Sequence, residues 1–176
     1  MTTLDKAISF ALMYHGEQYR DNSGIPYITH LLAVLRKLTH MGVKDEDILI
    51  ASVLHDLLED TICTKDDIID EFGEDIANIV EELTRPDDIS GFEDKRKYLE
   101  EFSKDVSLEA IVIKCTDRLV NVEDYFYTDS KYALRYLQQA DCVFSRLSNT
   151  LIASNNHYVA RILNELTRIR VLLGLW

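Results

Sequence analysis

The residues with most chemistry to offer lie in Ser52-Val53-Leu54-His55-Asp56-Leu57-Leu58-Glu59-Asp60-Thr61, where four ionisable side chains interrupt an otherwise apolar run. At a helical repeat His55 and Glu59 form one i,i+4 pair, and Asp56 and Asp60 form a second beside it. The spacing predicts one helix with two columns of imidazole and carboxylate on adjoining faces. Leu54, Leu57 and Leu58 share those turns, so part of the polar set must approach the core. A carboxylate is expensive there unless it is paired, and a cation is the expected occupant.

Two more groups extend the set. His30 stands in the first turn of a helix expected to start near Ile28, after a loop containing Gly24 and Pro26. Asp117 emerges beside the apolar stripe of a second unusual stretch, residues 110–121, when that stretch is read as a helix. Each has a simpler reading, His30 as a hydrogen-bonded structural histidine and Asp117 as half of a salt bridge. Taken together, His30, His55, Asp56 and Asp117 supply imidazole and carboxylate but no thiolate. That donor set suits Mn²⁺, Fe²⁺, Zn²⁺ or Mg²⁺ with water positions left open. Such a metal binds phosphate oxygen and lowers the pKa of a bound water.

The elements that must position these groups read as helices throughout, so the expected fold class is all-α. Leu4, Ala7, Ile8, Ala11 and Leu12 mark a first amphipathic helix stopped at Gly16. Leu32, Val34, Leu35 and Leu38 continue the second to Gly42, and the Asp45-Glu46-Asp47 run suits the start of a third. His30 and His55 thus fall on consecutive helices joined by a short turn, a layout that favours antiparallel neighbours. Thr64-Lys65-Asp66-Asp67 reads as a capping pattern for a short helix ending at Gly73, and a further helix is expected from Glu74 to Thr84. After a loop to Gly91, Phe92 to Phe102 carries Lys95-Arg96-Lys97, by default a solvated face. The chain from Ser130 to Trp176 is expected to form two helices divided near Ser154-Asn155-Asn156. Leu137, Ala140, Phe144 and Leu147 would be core there, and Tyr136 could offer an aromatic face to a ligand.

Composition bounds the functions open to these residues. With 176 residues, 47% hydrophobic and 28% charged, residues 1–176 suffice for one well-buried domain. A formal net charge of -12 disfavours nucleic acid, whose binding depends on cationic neutralisation of phosphates. An anionic small molecule would need a metal or a local basic cluster to overcome that field. Cys63, Cys115 and Cys142 lack the spacing of a disulfide framework or a thiolate zinc site, and fit a reducing cytoplasm. No apolar run approaches membrane-spanning length and no secretory leader is visible, so a soluble cytoplasmic protein is expected.

In order along the chain, Gln18-Tyr19-Arg20 with Ser23-Gly24-Ile25-Pro26-Tyr27-Ile28-Thr29-His30, then His55-Asp56-Leu57-Leu58-Glu59-Asp60-Thr61, Phe72-Gly73, and Lys114-Cys115-Thr116-Asp117-Arg118-Leu119-Val120-Asn121 form a joint signature. It resembles the HD-domain phosphohydrolases, and more narrowly the hydrolase domain of RelA/SpoT-type alarmone enzymes. The chain is similar to the short, hydrolase-only members of that group, the metazoan SpoT homologues among them. The resemblance implies a single multi-helix HD-domain fold and a metal, taken as Mn²⁺ with other divalent cations open, on His30, His55, Asp56 and Asp117. It implies Glu59 and Asp60 as the catalytic pair that orients water or relays a proton. Arg20, Ser23, Asn121 and Tyr136 would bind substrate. The implied reaction removes pyrophosphate from the 3′ position of guanosine tetraphosphate or pentaphosphate, giving GDP or GTP. Leu31 stands where the family usually has proline, and the loop from Arg20 to Gly24 is one residue longer than the common bacterial form. Two other readings stay open, an HD phosphohydrolase of another nucleotide such as NADPH and a nucleotide-sensing module without turnover.

Overall fold

The computed structural model describes residues 2–20, 23–153 and 156–175, with the main chain of Ser154. Asp21 and Asn22 of the expected turn, and Asn155 of the expected C-terminal division, lie outside them. Eleven α-helices account for the ordered elements among the described residues, together with one isolated antiparallel bridge between Tyr19 and Pro26. They gather into two compact units, Met1–Asp88 and Ile89–Trp176, each described on its own.

The first unit comprises α1 (Thr3–His15), α2 (Ile28–Met41), α3 (Glu46–Leu54), α4 (Leu57–Asp60), α5 (Lys65–Phe72) and α6 (Glu74–Leu83). Capping chemistry sets many of the ends. Thr2 and Asp5 make a reciprocal capping box on α1, and Thr64 with Asp67 makes another on α5. Asp45 receives the amides of Asp47 and Ile48 at the start of α3. Gly42 ends α2 at φ 92°, where its amide reaches Leu38 and Thr39 carbonyls; a side chain there would be strained.

Burial in this unit converges on α3. Ile48, Ile50, Ala51, Ser52, Val53 and Leu54 are all buried, the signature of a helix enclosed on every side. Helices α1, α2 and α6 pack around it. On α1 the buried positions are Ala7, Ala11 and His15, whereas Leu12 is exposed, so the inward stripe runs one turn further than the apolar residues alone suggest. On α2, Leu31 fills the core with Val34, Leu35 and Leu38, and His30 is buried beside them.

The segment expected to be one helix from Ser52 to Thr61 is two. Helix α3 ends at Leu54, and Asp56 leaves helical geometry at φ −103° and ψ 0° before α4 begins. This is the bridge region of backbone space, frequent at functional residues. The break stays bonded, with the Asp60 amide donating to the Asp56 carbonyl at 2.9 Å and Thr61 Oγ1 to the Leu57 carbonyl at 2.7 Å.

The second unit comprises α7 (Phe92–Asp105), α8 (Leu108–Phe126), α9 (Ser130–Gln139), α10 (Asp141–Ser154) and α11 (His157–Leu172). Helix α8, capped by Ser107, is buried continuously from Ala110 to Val122 and packs against α9, α10 and α11. The region expected to hold two C-terminal helices holds three. The additional break falls at Ala140, non-helical at φ −98° and ψ 8° and fully buried. Leu137, Phe144 and Leu147 are core on both sides of it, as expected. Arg96 of the basic triplet is exposed and paired with Glu93 and Glu100 of its own helix. No helix among the described residues is long and apolar enough to cross a membrane.

Leu57 is fully buried directly after the break, whereas Ile62 five residues later is 91% exposed. Leu57→Ala should lower unfolding free energy by about 2–5 kcal/mol in urea denaturation, and Ile62→Ala should stay within about 0.5 kcal/mol of wild type.

Candidate metal centre

The end of α3 and the start of α2 bring three donors together. Asp56 Oδ2 lies 3.2 Å from His55 Nε2 and 3.9 Å from His30 Nε2. Ligand atoms of all three residues fall within 4.8 Å of one another, with both histidines buried and Asp56 half-buried. Donors bound at about 2.1 Å to one ion stand about 3.0–3.4 Å apart in octahedral or tetrahedral arrangements. The observed spacing therefore needs only small adjustment to close on a divalent cation. His55 Nδ1 is 2.8 Å from the Ser52 carbonyl. A carbonyl only accepts, so Nδ1 carries a proton and Nε2 is the nitrogen turned toward Asp56.

The two-column reading holds for one column. Tyr27 Oη lies 2.7 Å from Asp56 Oδ2 and 3.0 Å from Asp60 Oδ2, so a phenol hydroxyl links that pair. The His55 and Glu59 column separates, because the helix breaks between them and Glu59 turns to Arg85. The Arg85 main-chain amide donates to Glu59 Oε2 at 3.1 Å, while its Nε and Nη2 donate to Oε1 at 3.1 and 2.5 Å. Both oxygens of Glu59 are thereby held by one residue.

Asp60 is crowded differently. It is exposed by area, yet protein around its carboxyl, reinforced by the negative charges of Asp56 and Glu59, pushes its pKa from 3.8 up to about 6; the Tyr27 hydroxyl and His55 act in the opposite direction. Burial and charge repulsion both disfavour the ionised form, which is why the shift is large.

Arg20 is buried, with its guanidinium 5.9 Å from the centre of the Tyr27 ring. Its carbonyl accepts from the Ser23 and Gly24 amides at 3.3 and 2.7 Å, and Ser23 itself is exposed on that loop. Asp117, Asn121 and Tyr136 belong to the second unit. Asp117 is buried, and Asn121 Nδ2 donates to its Oδ1 and to its carbonyl. Arg118 lies 4.1 Å from the Tyr136 ring centre and donates to Gln139 Oε1, while Gln139 Nε2 donates to the Phe92 carbonyl.

Four residues of the first unit had no assigned role in the sequence. Tyr27 precedes His30 by three positions, a helical-face spacing that could have drawn notice. His15 continues the Ala7 and Ala11 stripe and stacks on Tyr27 at 4.8 Å and 19°. Gln18 joins the two, since its Oε1 accepts from His15 Nδ1 at 2.8 Å and its Nε2 donates to the Asp60 carbonyl at 2.7 Å. Burial lowers the pKa of His15 and so disfavours its charged form. Arg85 lies 26 positions from Glu59, and nothing in the sequence connects them.

The family model for the HD domain matches residues 7–153. A guanosine-3′,5′-bis(diphosphate) 3′-pyrophosphohydrolase of Xenopus tropicalis is 40% identical over 121 residues, covering 68% of this chain and 67% of that protein. One from Aquifex aeolicus is 39% identical over 125 residues, 68% of this chain but 17% of that longer protein. Among solved structures, a metazoan orthologue of SpoT, described as hydrolysing ppGpp and acting in starvation responses, superposes with a TM-score of 0.82. It is 26% identical, and the match covers 100% of this chain and 98% of that one.

In the metal-free protein the Asp60 carboxyl should titrate with a midpoint near 6 by ¹³C NMR. Between 3.8 and about 6 the folded state then holds more proton than the unfolded state, so this group's contribution to stability falls as pH rises through that window. Asp60→Asn should remove that part of the slope, and a wild-type slope in the variant would place the titration elsewhere.

Proposed function

We propose that this chain, which belongs to the HD domain family, is a metal-dependent hydrolase that removes pyrophosphate from the 3′ position of guanosine 3′,5′-bis(diphosphate) and its pentaphosphate analogue, giving GDP or GTP. The observation that carries this reading is the cluster of buried His30 and His55 with half-buried Asp56, in a chain 40% identical to a pyrophosphohydrolase of that substrate. Asp117 is the fourth ligand and Mn²⁺ the resident ion. The ion supplies Lewis acidity toward phosphoryl oxygen and a water of lowered pKa. The HD match over 7–153 includes residues of both compact units, which supports reading 1–176 as one catalytic domain.

The remaining roles rest on chemistry. Hydrolysis of the 3′ ester delivers the oxygen of water to the departing pyrophosphate and a proton to the ribose 3′-oxygen. Asp60, with a pKa near 6, suits general acid and base work close to neutrality. Glu59, fixed through both oxygens by Arg85, suits orienting water. Arg20, Ser23, Asn121 and Tyr136 take the nucleotide. Against a formal charge of -12, the metal and the Arg20 fork provide the local attraction that a polyanion requires. The same charge argues against nucleic acid as a partner, and three free cysteines fit a reducing cytoplasm.

The decisive test incubates the Mn²⁺-loaded protein separately with guanosine tetraphosphate, NADPH and ordinary nucleoside triphosphates, resolving products by chromatography. Release of GDP and pyrophosphate from the first is expected, abolished by a chelator; turnover of NADPH alone would move the assignment to another nucleotide, and turnover of none would leave a sensing module. Asp60→Asn and Glu59→Gln should each retain metal while turnover falls by about 10²-fold or more. Arg20→Lys should keep fold and metal and lower kcat/KM about tenfold, since lysine cannot make the two-point phosphate grip.

A further inference from the structure

We propose that Tyr27 is a positioning residue of the metal centre, its hydroxyl fixing the ligand oxygen of Asp56 and tying Asp60 to it. This rests on the reading that His30, His55 and Asp56 hold a divalent cation. The hydroxyl does not meet Asp56 at random. It contacts Oδ2, the same oxygen that faces His55 Nε2 and His30 Nε2. Asp56 needs such a hold, because it sits where the backbone leaves α3 and its side chain is half-buried. The regular geometry of a helix does not direct its side chain there, and the Tyr27 hydroxyl meets it directly.

The ring of Tyr27 is itself fixed from several directions. His15 stacks on it, the Arg20 guanidinium lies over it, and His30 meets it at 5.8 Å in an edge arrangement. The Tyr27 amide donates to the Gln18 carbonyl at 2.8 Å, and the Gln18 side chain holds the Asp60 carbonyl. Tyr27 therefore touches two of the three clustered donors and shares a partner with Asp60. A phenol has one proton to donate and two carboxylate oxygens within reach. Its direction is thus linked to the charge carried at Asp56, which a bound cation changes.

The test is metal binding rather than turnover. Metal-free wild type and Tyr27→Phe are titrated with Co²⁺, reading the visible absorption band, and with Mn²⁺, reading free ion by electron paramagnetic resonance. Tyr27→Phe keeps the ring and should keep the unfolding midpoint and circular dichroism of the metal-free wild type. Its Kd for either metal should rise about 10–100-fold, the scale for losing a hydrogen bond behind a metal ligand, and the Co²⁺ band should shift. Ile62→Ala, at a side chain 91% exposed, should retain wild-type affinity. A wild-type Kd and Co²⁺ band in Tyr27→Phe overturn the inference, as does an equal loss in Ile62→Ala, which assigns the effect to something other than the Tyr27 hydroxyl. Should Tyr27→Phe fail to fold, Tyr27 is structural and the inference also falls. Absence of saturable metal binding in wild type overturns the metal reading itself, an outcome distinct from failure of Tyr27 alone.

Discussion

Helix α3 is apolar on every side and enclosed by α1, α2 and α6, so the chain leaves its C-terminal end from inside the first unit. The next two residues there are His55 and Asp56. This one constraint, a polar pair carried to the buried end of an apolar helix, shapes the surroundings. The Ser52 carbonyl in the last turn of α3 takes the His55 Nδ1 proton, which turns the other ring nitrogen toward Asp56. Donation from one imidazole nitrogen therefore fixes which nitrogen is available as a ligand. The backbone departs from helix at Asp56 and resumes at Leu57, whose fully buried side chain anchors the new helix. The apolar residues of the motif thus place its polar residues.

Helix identity was legible wherever a boundary had local chemistry. Thr64 and Asp67, Asp45, Gly42 and Gly73 end or begin helices where their types indicate, because caps act within a few residues of themselves. The two breaks at Asp56 and Ala140 are marked less clearly: Asp56 is an N-cap residue type, but its side chain makes no capping hydrogen bond on α4. Neither glycine nor proline stands there, and the apolar residues on each side share a helical period. In both places tertiary burial decides, since Leu54 and Leu57, like Leu137 and Phe144, pack inward across the interruption.

The candidate site divides in the same way. His30, His55 and Asp56 could be found by residue type and helix order, and their donors do assemble. The partners that hold the acidic groups could not. Arg85 reaches Glu59 from after α6, and Tyr27 reaches Asp56 and Asp60 from just before α2. Such pairings depend on how helices pack, and sequence spacing along one helix carries no trace of them. The expectation that His55 and Glu59 form a pair failed for this reason, since Arg85 meets both oxygens of Glu59.

Three carboxylates, Asp56, Glu59 and Asp60, lie within five consecutive residues of an acidic chain, and like charges so close cannot all be ionised without compensation. The structure compensates them unequally. Asp56 faces two imidazoles and a phenol hydroxyl, and Glu59 is gripped through both oxygens by Arg85. Asp60 shares the Tyr27 hydroxyl, yet protein around its carboxyl, and after it the repulsion of both neighbours, push its pKa up to about 6. One of three similar side chains is thereby made to change charge near neutrality. The difference comes from the partners, not from the carboxyl groups themselves, and environments that push paired acids apart in this way are how acid and base roles become distinct at a hydrolytic site.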